Sequence, residues 1–111
     1  MGKFVKGEVV VVPFPYSDLS DSKRRPACVI AEAGPHDDVI LCMITTRSIV
    51  DDSAVAISQQ DFVQGGLPFD SNVRPNRLFT ANETIVLRVV GHLSDAVMDE
   101  VVGEIVRIVT A

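Results

Sequence analysis

Apolar residues fall in short runs broken by turn residues for most of this chain, and only the last stretch adopts a helical period. Val9-Val10-Val11-Val12 follows Gly7-Glu8 and ends at Pro13-Phe14-Pro15. Four successive β-branched residues disfavour a helix and predict a strand buried on both faces, and the prolines are expected to stop its ladder. Ala27 to Ala31 predicts a second strand, and Val39 to Ile44 a third, with Gly34-Pro35-His36-Asp37-Asp38 as the turn between them. Ala54-Val55-Ala56-Ile57 alternates as a short strand, residues 59–70 read as irregular, and two more strands are expected over 72–79, broken at Pro75, and over 84–90. From Val97 the period changes. Val97, Met98, Val101, Val102, Ile105, Ile108 and Val109 recur at i, i+3, i+4 and i+7, one face of a helix. Ser94 is its expected cap, Asp95 favours the dipole, and Leu93 is placed to staple onto Met98. The pattern predicts a mainly β chain, a small barrel closed by a C-terminal helix.

Length and composition narrow the class. The 111 residues make one domain over 1–111, with no internal repeat and no linker. Apolar residues are 47% and charged residues 23%, which argues against general disorder, and no apolar run is long enough to span a membrane. The opening Met-Gly-Lys-Phe-Val-Lys-Gly-Glu turns acidic and strand-like too soon for a signal peptide, so the expected compartment is the cytoplasm. Cys28 and Cys42 lie inside apolar runs and are expected to be reduced core residues. Ten Lys and Arg face fifteen Asp and Glu, a net charge of −5, which weighs against a broad basic surface for nucleic acid but leaves room for a local one. Neither half of the chain forms a basic arm or an acidic tail.

Familiar catalytic and cofactor signatures are missing: no GxGxxG, P-loop, HExxH or paired-cysteine metal spacing occurs. No cofactor and no metal is expected. His36 and His92 sit beside Gly and Pro, where a solvated turn is the expected setting. What stands out is the placement of cations. Lys23, Arg24 and Arg25 precede Pro26 and the second strand, Arg47 follows Thr45-Thr46 at the end of the third, and Arg74 and Arg77 bracket Pro75-Asn76. Six of the ten cations thus sit at strand ends beside loops, where a sheet can aim them. A guanidinium matches a phosphate in two places at once, and a threonine hydroxyl adds a neutral donor. Arg with Thr is minimal equipment for a pentacoordinate phosphate. The plain alternative is a surface pairing of Arg25 with Asp18 or Asp21 and an ordinary strand end at Thr45.

The order of several blocks goes beyond spacing. Lys6 to Leu19 (KGEVVVVPFPYSDL), then Lys23 to Ile30 (KRRPACVI), resembles the opening of the PemK/MazF toxin family, as does Leu41 to Thr46 (LCMITT). Gly66-Leu67-Pro68 through Val73 to Thr80 (VRPNRLFT), followed by Val90-Gly91-His92-Leu93-Ser94, is similar to that family's later motifs. The resemblance implies an SH3-like barrel, a homodimer, and the toxin of a type II toxin–antitoxin pair. It implies a metal-independent, sequence-selective endoribonuclease for single-stranded RNA, with the catalytic Arg at Arg25 and the catalytic Thr at Thr45. Lys23, Arg24, Thr46, Arg47, Arg74 and Arg77 are the expected RNA-binding cations and donors, with Phe14 and Tyr16 as aromatic contacts and Phe69 and Phe79 as further stacking candidates. A cognate antitoxin is the implied protein partner, an acidic tail covering the arginines, and the loop from Tyr16 to Arg24 is placed to gate the RNA groove. The family often carries Gln two positions after its Thr; here that position is Arg47. Two other readings use the same fold. One is a toxin that poisons a topoisomerase, and the other a family member that binds antitoxin or RNA without cutting.

Overall fold

The computed structural model describes residues 3–14, 23–47 and 51–111, with only the backbone described for Phe14 and Lys23. Seven strands form one antiparallel sheet: β1 (Glu8–Phe14), β2 (Lys23–Glu32), β3 (Asp38–Thr46), β4 (Val55–Ile57), β5 (Phe62–Gly65), β6 (Ser71–Asn82) and β7 (Arg88–Leu93), in the order β4-β6-β3-β2-β1-β7-β5. The outermost strands β4 and β5 are joined by only Ser58 to Asp61. So short a link between opposite edges requires the sheet to curl until those edges approach, which gives the partly closed barrel that the pattern of runs predicts.

Each valine of the first run is buried, and the run feeds two cores because successive side chains point to opposite faces. Val9 joins Cys28, Cys42, Ile44, Val55, Ile57 and Leu93 beneath helix α1 (Asp95–Val109), which contributes Val97, Met98 and Val101. Val10 and Val12 join Phe4, Ala27, Val29, Val39, Leu41 and Ala81 on the other face. The helix starts as expected. Ser94 Oγ accepts from the Val97 amide at 3.3 Å, and Leu93 and Met98 are buried in the same cluster.

Five expectations are revised. Pro13 does not end β1: it pairs with Arg24, and the strand continues to Phe14. By that point β7 has left the other side of β1, its last partner being Arg88 opposite Val11, so the missing proline donor costs no ladder bond. Pro75 does not split the sixth strand into two, but the ladder does step there. Cys42 pairs with Leu78 and Ile44 with Val73, so Arg74 to Arg77 bulge out opposite Met43 alone. Residues 59–70 are not wholly irregular, since a 3₁₀ turn over Gln59–Asp61 leads into β5. The expected strand at 84–90 begins instead with a 3₁₀ turn, Glu83–Ile85, because the Asn82 side chain accepts from the Thr84 amide at 3.0 Å and curls the backbone. His92 is likewise on a strand, half-buried opposite Glu8 and Gln64, rather than in a turn.

Candidate functional site

The site is built where β2 begins and β3 ends. The two strands pair as far as Ala27↔Met43, and that register, continued two residues past the end of the ladder, sets Arg25 opposite Thr45. Their ladder stops at Ala27↔Met43, while on its other edge β2 stays paired with β1 (Arg25↔Val12) and β3 stays paired with β6 (Thr45↔Asn72). The strands therefore part like a fork. Arg25 and Thr45, both half-buried, stand on its two prongs.

Thr45 is backed by a charged network. Arg74 is buried, with 6% of its surface exposed, and its Nε and Nη2 donate to the same oxygen of Asp51 at 3.0 and 2.8 Å. Its Nη1 lies 3.5 Å from Thr45 Oγ1, at the outer limit of a hydrogen bond. The other Asp51 oxygen accepts from the amide and hydroxyl of Ser53 at 2.9 and 2.8 Å. Those Ser53 bonds, with the Arg74 guanidinium, hold the Asp51 carboxyl down at about 2. Cys42 fixes the other end of Arg74 by donating its thiol to the Arg74 carbonyl at 2.8 Å. Arg74 is thus an internal cation whose charge Asp51 answers, aimed at Thr45 from behind.

The remaining sites expected from sequence are distributed around the fork. Arg47 is exposed but tethered, donating to the Ile57 carbonyl at 3.0 Å and lying 3.5 Å from Asp70. Arg77 is exposed on the β6 bulge. Arg24 and Thr46, each one residue from Arg25 and Thr45, project to the opposite face, where they line an open cavity of about 290 Å³. Its walls are Val11, Pro26, Leu67, Pro68, Phe69 and Val90, with Ser71 and Arg88 adding polar groups. Phe69 is 71% exposed there, whereas Phe79 packs partly buried against the second core. Lys23 and Phe14 face each other in the β1–β2 ladder; Tyr16, the proposed gate over most of its length, Asp18 and Asp21 lie outside the described residues.

Sequence reasoning missed three parts of this arrangement. Asp51 and Ser53 gave no signal, being two polar residues in a polar stretch, and Arg88 stood alone in an apolar run. The wall over 66–69 was visible only as a Gly-Gly-Leu-Pro-Phe loop. Among the described residues no three His, Cys, Asp or Glu side chains gather as a metal site needs, and no helix is long and apolar enough to cross a membrane.

A family model for the PemK-like, MazF-like toxins of type II toxin–antitoxin systems matches residues 5–109. No curated protein matches the chain by sequence. Among solved structures, an endoribonuclease in complex with its cognate antitoxin from a mycobacterial species superposes with a TM-score of 0.76, covering 96% of this chain and 95% of that one at 15% identity. The Mycobacterium tuberculosis toxin MazF-mt6 gives 0.70 at 20% identity, covering 93% and 96%, and MazF from Deinococcus radiodurans gives 0.72 at 18%, covering 96% of each. Likeness at that identity establishes the fold, a MazF-like curled sheet with one C-terminal helix.

Proposed function

Because the chain belongs to the PemK-like, MazF-like toxin family of type II toxin–antitoxin systems, we propose that it is a metal-independent endoribonuclease. It cuts single-stranded RNA in the cytoplasm at a short sequence and is restrained by a cognate antitoxin. What supports this most is the β2–β3 register, which, continued past Ala27↔Met43, sets Arg25 opposite Thr45 where the two strands part.

The chemistry follows from what RNA supplies. Its 2′-OH is an internal nucleophile that DNA lacks. The 2′-oxygen forms a bond to the adjacent phosphorus as the bond from phosphorus to the 5′-oxygen breaks in line. The 2′-OH proton leaves to solvent, the departing 5′-oxygen takes one up, and the products are a 2′,3′-cyclic phosphate and a 5′-OH. Arg25 neutralises the non-bridging oxygens, whose charge grows toward the transition state, and Thr45 donates a hydrogen bond to one of them. Because the Thr45 oxygen is backed by an Arg74 N–H, its own proton is left to point outward. Guanidinium groups keep their proton across the physiological range, so Arg25 acts as an electrostatic clamp rather than a base. Holding the phosphate for in-line attack supplies the rest.

The same reading makes the active form a homodimer and gives the antitoxin an acidic segment that orders over the exposed arginines. The test is to incubate the protein with a long single-stranded RNA in EDTA and map the new 5′ ends, with Arg25→Ala alongside. Cuts at a recurring short motif, lost in Arg25→Ala, are expected. Intact RNA after incubation with folded wild-type protein, or unchanged cutting by Arg25→Ala, overturns the reading.

A further inference from the structure

Arg25 and Thr45 occupy one face of the fork; the cavity occupies the other. Adjacent residues on a strand point to opposite faces about 3.3 Å apart along the chain, so the strand ends that present Arg25 and Thr45 also present Arg24 and Thr46 on the reverse side. The cavity is small. Ligand pockets generally run from about 300 to 1,000 Å³, and this one lies at the lower end, sized for one nucleotide rather than a length of polymer.

Its chemistry is divided in a specific way. Leu67, Pro68 and Val90 make apolar walls, and the exposed Phe69 ring offers a flat face at the rim. Arg24 and Arg88 form no ion pair with a described residue, unlike Arg47, Arg74 and Arg107, whose charges meet Asp70, Asp51 and Glu104. Arg24 pairs with Pro13 and Arg88 with Val11, so the two stand on the strands either side of β1, offset by two residues along it. Ordinary strand spacing and rise put their Cα atoms about 12 Å apart, a separation that brackets one nucleotide between two phosphates.

We propose that this cavity is a nucleotide-binding subsite, reading a base one nucleotide removed from the cut between Leu67, Pro68 and Phe69 while Arg24 and Arg88 hold the phosphates on its two sides. The proposal rests on the ribonuclease reading for its biological role, but the binding it describes is measurable without cleavage. A strand with its scissile phosphate at Arg25 and Thr45 passes over the fork with one nucleotide and drops the next one into the reverse face. An acidic peptide would satisfy two arginines as well, yet it leaves the aromatic face and the small, nucleotide-sized volume without use. Aromatic stacking accepts any base, so selectivity comes from the polar edge, where Ser71 Oγ donates to the Phe69 carbonyl at 2.9 Å and offers its lone pairs to a base donor.

The experiment is an NMR titration of the full chain with the four nucleoside 3′,5′-bisphosphates, each carrying one base between two phosphates. Wild-type protein is expected to show saturable shifts in the amides of Thr46, Leu67, Phe69 and Val90, with one base preferred. Phe69→Ala and Arg88→Gln, both changes at exposed side chains, should weaken that affinity at least tenfold, and Arg88→Lys should recover part of it. Arg25→Ala should bind as wild type at the cavity. If Arg25→Ala abolishes RNA cutting and the cavity amides do not move, the ribonuclease reading stands and the subsite falls. If the amides move with nucleotide but RNA is never cut, the subsite stands and the ribonuclease reading falls. Shifts from a glutamate-rich peptide alone, or nucleotide shifts that survive both Phe69→Ala and Arg88→Gln, overturn the subsite.

Discussion

Gly65 decides whether the cavity has a wall. It sits at the end of β5 with φ +63°, directly opposite Gly91 on β7, and a Cβ added there would lie 2.0 Å from the Val90 carbonyl oxygen and 2.7 Å from Gly91 Cα. Those are backbone atoms, so no side chain can rotate away, and ordinary contact begins only near 3.4 Å. The left-handed conformation alone costs an L-residue about 1–2 kcal/mol. Relieving the clash means moving β5 off β7, which breaks the bond from the Gly66 amide to Val90 O, now 3.1 Å, and weakens its neighbours at about 0.5–1.5 kcal/mol each. Gly65→Ala should therefore lower the opening free energy of β5 by about 2–4 kcal/mol. Hydrogen exchange at residues 62–66 should accelerate roughly 30- to 1,000-fold, while β2 and β3 keep their protection. Gly34→Ala is the matched control: φ is +92°, but nothing lies within 4 Å, so only the conformational cost applies. Equal stability losses in the two variants, or unchanged exchange at β5, would refute the clash argument. Because residues 66–69 follow directly from Gly65, the variant should also bind nucleoside bisphosphates more weakly with Arg25 and Thr45 undisturbed.

Further outcomes follow from the two buried thiols and from Asp51. Burial pushes both thiols up to about 12, Cys28 also through its neighbour Cys42, so native protein at pH 8 should not react with a disulfide reagent until it opens. Since unfolded thiols ionise near pH 9 and the folded ones do not until about 12, that stabilisation is complete below pH 9 and fades as pH rises through this window; Cys28→Ala should flatten the alkaline part of a urea stability profile. Asp51→Asn leaves the Arg74 cation unanswered behind Thr45, and RNA cleavage should fall by about tenfold or more through kcat, with KM little changed. The depressed Asp51 carboxyl contributes its stability above the unfolded value near 3.9 and loses it as pH falls through about 2, so its carboxyl resonance should show no titration down to about pH 3.

What could be read from the chain divides along physical lines. Strands with dense β-branched runs, such as Val9 to Val12 and Val39 to Ile44, announce themselves because both faces are buried, and the helix announces itself through its seven spaced apolar residues. β5 does not, since a four-residue edge strand with exposed Val63 and Gln64 has no hydrophobic period and exists because β7 offers it a partner. The extension of β1 through Pro13 depends equally on a neighbour, namely on β7 having departed. Among site residues, Arg25 and Thr45 were legible as chemistry placed at strand ends and through family likeness. Which face each side chain takes was not. That depends on register, where one residue separates Arg25 from Arg24 and the proposed phosphate clamp on one face from the cavity on the other. Arg74 shows the limit from the other side: its type suggests a surface phosphate contact, and the bulge at Pro75 with Asp51 beside it makes it an internal support.

The acidic balance of the chain fits this arrangement once charges are followed to their partners. A net −5 repels RNA at long range, so any attraction has to come from cations that acidic side chains have not neutralised. Arg47, Arg74 and Arg107 are so neutralised. Arg24, Arg25, Arg77 and Arg88 have no ion-pair partner among the described residues, and Arg24 and Arg25 are consecutive, one directed to each face of β2. Two of these charges thus form a local focus at the start of β2, while Arg77 lies on β6, Arg88 on β7, and Lys3 and Lys6 before β1. Such a focus favours a short stretch of phosphates in one register over the length of a polyanion, and within about a Debye length, roughly 8 Å in physiological salt, it outweighs the more distant acidic groups. On the proposed reading, RNA binds where it can place a phosphate at the fork and a base behind it, and is repelled elsewhere. The selectivity for short sequences that this reading assigns would then arise from the same charge distribution that makes the whole chain acidic.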